Sequence, residues 1–400
     1  MGANTEIMTN EIKLITVYIF FWSFWLLYSY IAGYPIELFT AFVVFVSFSG
    51  FLIGLFFSNQ KNKKEIIVPL ALGKIKRYLN FMVLINGVLL IGVLHSIYKN
   101  GFEHRDLMFT DEGLFGNIFI TYLINYFIQP LTLVAVVISI SIKDENINYQ
   151  YYAYTMLGMM SVVSLGRFPI YYMIYFYMVN QLLCNNKSRE IGSLAKTIIV
   201  LSLIFYISWF ILSKKLVDTG SDVDNIIDII RIYVLNYHII GYHMLDNLVS
   251  LNYPENIDFV YPTTSLGFLG WFAHLLTKYS GFLPVFPNSY MDLMEIYNGG
   301  FYLDKLQWAY NAFTTSILPL YADGGVFGVF IGFFVYGIIA ARGSNFNCYK
   351  ISPVFILVIF MLTFSLFQPF INSSFPLCLF YLWIFNKFLV RKTSFLFGTK

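Results

Sequence analysis

From Leu14 to Phe57 the chain carries a single charged residue, Glu37, and its apolar residues form two runs of about 20 each. No other feature constrains the fold as much. About 20 apolar residues in an α-helix cross a hydrocarbon core roughly 30 Å thick. Backbone polar groups at that depth must be bonded within the helix, because no water is there to receive them. The pattern recurs along the chain. Apolar runs cover about 14–32, 36–57, 79–98, 118–142, 197–213, 324–341, 353–371 and 375–390. A further stretch, 151–184, is broken by Gly166-Arg167-Phe168-Pro169 and reads as one kinked span or a hairpin of two short ones.

Composition closes off the soluble reading. Charged residues are 12% of the 400, hydrophobic ones 58% and aromatics 20%, whereas a soluble globular chain is about 25% charged. No basic tract with interleaved aromatics points to nucleic acid. The three cysteines, Cys184, Cys348 and Cys378, lack metal-site spacing. Residues 1–13 lack a positive n-region and a small-residue cleavage site, so the first run reads as a retained helix.

Cytoplasmic loops are enriched in Lys and Arg. The 59–78 segment holds Lys61, Lys63, Lys64, Lys74, Lys76 and Arg77 against Glu65, 185–196 holds Lys187, Arg189 and Lys196 against Glu190, and the tail holds Lys387, Arg391, Lys392 and Lys400 with no acid. All three fall on one side only if 151–184 is crossed twice. The expectation is an all-α, polytopic transmembrane helix bundle of about ten spans, a single integral membrane domain over 1–400 with both termini cytoplasmic. That topology puts 17 basic and 6 acidic residues inside against 8 and 16 outside, so the faces carry +11 and −8. Residues 214–308 become a large extracytoplasmic loop. Within it, 226–249 is too interrupted by polar residues to span and reads as an amphipathic helix on the outer leaflet. Residues 254–308, with four prolines and Gly299-Gly300, read as loops and short helices.

All five histidines fall at or near the outer side, the cytoplasmic loops are short, and no phosphate-binding G-x-x-x-x-G-K-[ST] occurs. Any chemistry is therefore expected outside the cytoplasm. Arg167, at the hairpin turn, sits near or slightly below the outer interface. It is either paired and facing a watery cavity or snorkelling to headgroups. Arg231 and His238 are seven apart, on one helical face. A guanidinium offers a planar fork to phosphate oxygens, and His238 or His243 could take a proton from a sugar hydroxyl. The alternative is a solvated polar face. Arg105 reads as a surface residue among acids. Asn311, Thr314 and Asp323 precede a glycine-rich helix start, where Asp323 either caps the helix or helps bind a ligand.

The run Asn311-Ala-Phe313-Thr314-Thr, followed by Tyr321-Ala-Asp323-Gly324-Gly325 and Gly328, resembles the O-antigen polymerase (Wzy) family pattern N-x-F-T, then Y-x-D-F-G-x-x-G, with Gly324 in place of the aromatic. The Gly166-Arg167 hairpin, the large outer loop and the ten spans are similar too. The resemblance implies a GT-C-like fold and a periplasmic loop at 214–308. It implies a multi-pass protein of the bacterial inner membrane, active in lipopolysaccharide or related polysaccharide biosynthesis. The implied reaction moves a growing glycan from undecaprenyl diphosphate onto the non-reducing-end hydroxyl of an incoming lipid-linked oligosaccharide. It needs no nucleotide, cofactor or metal. Implied partners are the lipid-linked oligosaccharide and the bilayer, with a flippase and a chain-length regulator alongside. Arg167 and Arg231 would clamp the diphosphate, and Asn311, Thr314, Tyr321 and Asp323 would bind or orient the substrate. His238 or His243 would be the base. An O-antigen ligase differs mainly in its acceptor. A transporter or flippase is the rival class, although the chain shows no paired halves.

Overall fold

The computed structural model describes residues 2–59, 72–100, 117–142, 149–164, 168–183, 235–250, 301–302, 309–310, 315–342, 351–366 and 375–389. They form helices α1 (Gly2–Ile31), α2 (Leu38–Asn59), α3 (Leu72–Asn100), α4 (Ile118–Leu123), α5 (Gln129–Ser141), α6 (Gln150–Val163), α7 (Phe168–Leu183), α8 (Tyr237–Ser250), α9 (Ile317–Ala341), α10 (Pro353–Phe364) and α11 (Phe375–Leu389). Strands β1 (Phe301–Tyr302) and β2 (Ala309–Tyr310) make a small antiparallel bridge, pairing Phe301 with Tyr310. Among the described residues, five stretches are long and apolar enough to cross a membrane: Asn10–Ile31, Leu38–Ser58, Leu72–Lys99, Phe119–Ser141 and Ile317–Ala341.

The 151–184 stretch is a hairpin. Gln150 and Asn180 exchange two amide hydrogen bonds, Tyr154 lies 6.2 Å from Tyr177, and Gly158 faces Met173, so α6 and α7 run antiparallel in register. Between α4 and α5 the chain makes a π-helical turn, Ile124–Ile128. Pro130 follows it and has no N–H for the Tyr126 carbonyl. The Tyr381 hydroxyl of α11 donates to that carbonyl instead, at 3.0 Å.

Glycine sets the closest helix contact. Gly50 and Gly54 of α2 form a G-x-x-x-G pair against α9. A Cβ on Gly50 would lie 2.6 Å from the Phe330 carbonyl oxygen, one on Gly54 would run into that of Phe334, and one on Gly337 into that of Phe51. The register rises together on both helices, so α2 and α9 are parallel.

At the centre lies α10, whose residues from Phe355 to Phe364 are all buried. A helix apolar on every side has no face to give to water. Trp22 of α1 donates its indole N–H to the Leu362 carbonyl at 3.0 Å. On another side Tyr172, Tyr175 and Phe176 of α7 pack edge-on or stacked against Phe360 and Phe364.

Several expectations are corrected. The apolar run 79–98 belongs to a helix that starts at Leu72 and carries Lys74, Lys76 and Arg77 exposed on its first turns. Long basic side chains favour a helix as well as a loop. The run 353–371 contains a helix that stops at Phe364 in a turn at Ser365-Leu366. Its 12 residues reach about 18 Å, too short to span alone. Part of the 226–249 stretch, as α8, is buried in the bundle rather than laid on an outer leaflet: Ile239, Ile240, Tyr242, Met244, Leu245 and Leu248 are fully covered. Its polar residues meet partners on other helices, which removes the cost of burying them. The run 197–213 lies outside the described residues.

Candidate functional site

The α8 helix is wedged where α1 ends, α2 begins, α7 begins and α10 ends. Glycine permits the approach. A Cβ on Gly241 would collide with the Leu366 carbonyl and lie 3.0 Å from the Thr315 methyl. The Ser316 N–H donates to the Ser365 carbonyl at 2.8 Å, tying the segment before α9 to the end of α10. The hydroxyls of Thr315 and Ser316 are buried there with no hydrogen-bond partner among the described residues.

His238, on the first turn of α8, is 8% exposed. Its ring stacks on Trp25 with centroids 4.3 Å apart and planes at 14°, while Phe21 and Tyr171 meet it edge-on. Tyr171 stands four residues after Arg167 in the sequence. This histidine is therefore boxed in by aromatic rings.

His243 lies nearer the end of the bundle and is partly buried. Its position follows from how α1 stops. Gly33 takes φ +83°, the Ala32 N–H reaches the Tyr28 carbonyl at 2.8 Å, the Gly33 N–H the Tyr30 carbonyl at 3.1 Å, and the Tyr34 N–H the Ser29 carbonyl at 2.9 Å. The last two bonds are those of a Schellman motif with glycine at C′. The turn brings the Tyr34 carbonyl onto the Ser29 hydroxyl, which donates to it, and His243 Nε2 lies 3.0 Å from the same hydroxyl oxygen. Tyr34 also meets the imidazole edge-on at 6.1 Å. Burial pushes the His243 pKa down to about 4, with the Asp246 charge opposing. The ring is neutral at ordinary pH.

Asp246, one turn further, accepts from the Glu37 N–H at 3.0 Å and from the Thr40 hydroxyl at 2.5 Å. It supplies an anion and an acceptor to the start of α2, where backbone donors lack helical partners. Tyr242 points the opposite way and donates its hydroxyl to the Trp22 carbonyl at 2.8 Å.

The glycine pair in the 321–328 pattern breaks α9 rather than starting it. Gly324 and Gly325 leave helical geometry, Gly325 at φ +58°, ψ −148°. The leading turns fold back: Leu320 lies against both Gly328 and Gly332, eight and twelve residues away, which a straight helix would hold about 12 and 18 Å apart. Tyr321 is buried at 6% exposure and Asp323 partly exposed, both on the folded-back part.

His238, His243, Tyr321 and Asp323 thus belong to two elements that touch where Thr315 meets Gly241. Arg167, Arg231, Asn311 and Thr314 lie outside the described residues, as do Arg105 and most of the 214–308 loop. Sequence reading missed Ser29, Trp25, Tyr171 and Gly241. The signal for Ser29 was present in Ser29-Tyr-Ile-Ala-Gly33, a helix end with glycine at C′. Among the described residues, no three His, Cys, Asp or Glu converge as metal ligands. No protein-family model matches the chain, and no curated protein or solved structure matches it.

Proposed function

We propose that this chain is a polymerase of lipid-linked oligosaccharide repeat units, a membrane glycosyltransferase at the outer face of the bacterial inner membrane. In this reading it has a GT-C-like fold with the ten crossings of the sequence reading, α10 forming only part of the ninth. One observation carries the reading: the histidine helix α8 is packed against the residue that directly follows the N-x-F-T match of the polymerase-like sequence pattern, with Gly241 against Thr315. Two regions some 70 residues apart, selected separately for sugar-transfer chemistry, meet at one end of the bundle. The parallel pairing of α2 and α9 adds support, because these are the second and eighth of ten spans and must run the same way.

The chemistry follows from the substrate. The acceptor hydroxyl attacks the anomeric carbon of the donor glycan, and the bond to the diphosphate breaks with its electron pair leaving on the phosphate oxygen. Negative charge grows on the diphosphate, and guanidinium groups stabilise it. Arg167 and Arg231 are assigned that role, and Asn311, Thr314, Tyr321 and Asp323 bind the sugars. A neutral histidine takes the hydroxyl proton.

Deleting the gene and resolving surface polysaccharide on a gel tests the reading. A polymerase null leaves a single repeat on the lipid core and no ladder. Loss of all attached repeats would indicate a ligase instead, and an unchanged ladder would remove both. Arg167→Ala and Arg231→Ala are each expected to give the single-repeat pattern at normal protein level.

A further inference from the structure

We infer that His243, rather than His238, is the proton acceptor, and that Ser29 is the positioning residue that makes it one by fixing the imidazole tautomer. This rests on the polymerase reading of the site. The Ser29 hydroxyl has one proton and two neighbours. The Tyr34 carbonyl can only accept, and the Ser29 hydroxyl donates to it. The proton therefore points at Tyr34, and the hydroxyl faces His243 Nε2 with a lone pair. Nε2 must then carry hydrogen and donate. In a neutral ring that leaves Nδ1 as the acceptor.

The chain of cause begins with Gly33. Its left-handed turn sets the Tyr34 carbonyl, the carbonyl orients the serine, and the serine orients the ring. The His238 ring is less accessible to an incoming hydroxyl, because Trp25 covers one face and Phe21 and Tyr171 approach edge-on. During transfer the acceptor hydroxyl proton passes to Nδ1 as the new glycosidic bond forms. The resulting imidazolium keeps its Nε2–H bond to Ser29 and afterwards loses the added proton to water.

The test uses the full chain, labelled with ¹⁵N-histidine, in lipid nanodiscs. The His243 signals are identified by difference from His243→Gln. The expected spectrum shows a protonated, pyrrole-type Nε2 and a bare, pyridine-type Nδ1. In Ser29→Ala that preference disappears and polymer yield falls about tenfold or more, with the protein present in normal amount. Ser29→Thr, which keeps the hydroxyl, restores both. A bare Nε2 in the wild type, an unchanged spectrum in Ser29→Ala, or a full ladder in either Ser29→Ala or His243→Gln overturns the inference. An intact ladder after deleting the gene overturns the polymerase reading. The nitrogen spectrum still judges the serine contact, so the two failures are told apart.

Discussion

Burial holds His243 neutral to about pH 4, well below the 6.5 of a free histidine, and this has a thermodynamic counterpart. The unfolded chain binds a proton at this residue more readily than the folded one does. The neutral ring's contribution is therefore fully present above about pH 6.5 and is lost as pH falls towards 4. Thermal unfolding in detergent is expected to show a steeper fall in Tm over that interval for the wild type than for His243→Gln. Parallel curves would mean that the ring is not desolvated. This part of the site was half legible in the sequence. A histidine on a helix was evident. Its neutrality was not, because it depends on covering by α1 and α2, about 200 residues earlier. Arg167 was picked out on the electrostatic cost of its place at the hairpin turn and Arg231 on its spacing from His238, criteria that need no contact.

Among the described residues, helices were legible where hydropathy decided the outcome, and boundaries failed where another force competed. The basic first turns of α3 stayed helical because nothing there breaks a helix. The end of α10 came early because Ser365 and Leu366 turn to meet Ser316 and α8. The α8 helix read as interfacial because its polar residues were counted against burial, whereas inside the fold they meet partners on other elements. The Gly324-Gly325 pair read as the start of a helix and instead breaks one. The space beside both glycines is open, and at Gly325 it is the left-handed backbone that requires glycine. Gly325→Ala should therefore cost about 1–3 kcal/mol through backbone strain with no steric clash. At Gly54 the reason is the reverse. Gly54→Leu drives a side chain into the Phe334 carbonyl and should separate α2 from α9. A cysteine pair placed across that seam would cross-link in the wild-type background and not in Gly54→Leu.

At the scale of the whole molecule, a parallel α2–α9 pair, an α6–α7 hairpin and a central α10 define a bundle closed at one end by the histidine helix. Its overall class was legible because a chain with so few charges has one environment open to it. Its interior arrangement was not, because every apolar helix resembles the next until packing selects the ones without a lipid face. The location of α10 bears on how the protein is made. Ribosomes deliver residues 353–364 after most of the chain has already left, yet this segment ends up in the middle. The helices synthesised before it must keep a vacancy and then close around the newcomer. Release of a chain ending before Pro353 should thus produce an inserted but loosely gathered bundle, cut by protease at sites the complete protein shields. If the truncated chain resists protease as the full one does, the earlier helices close without their centre.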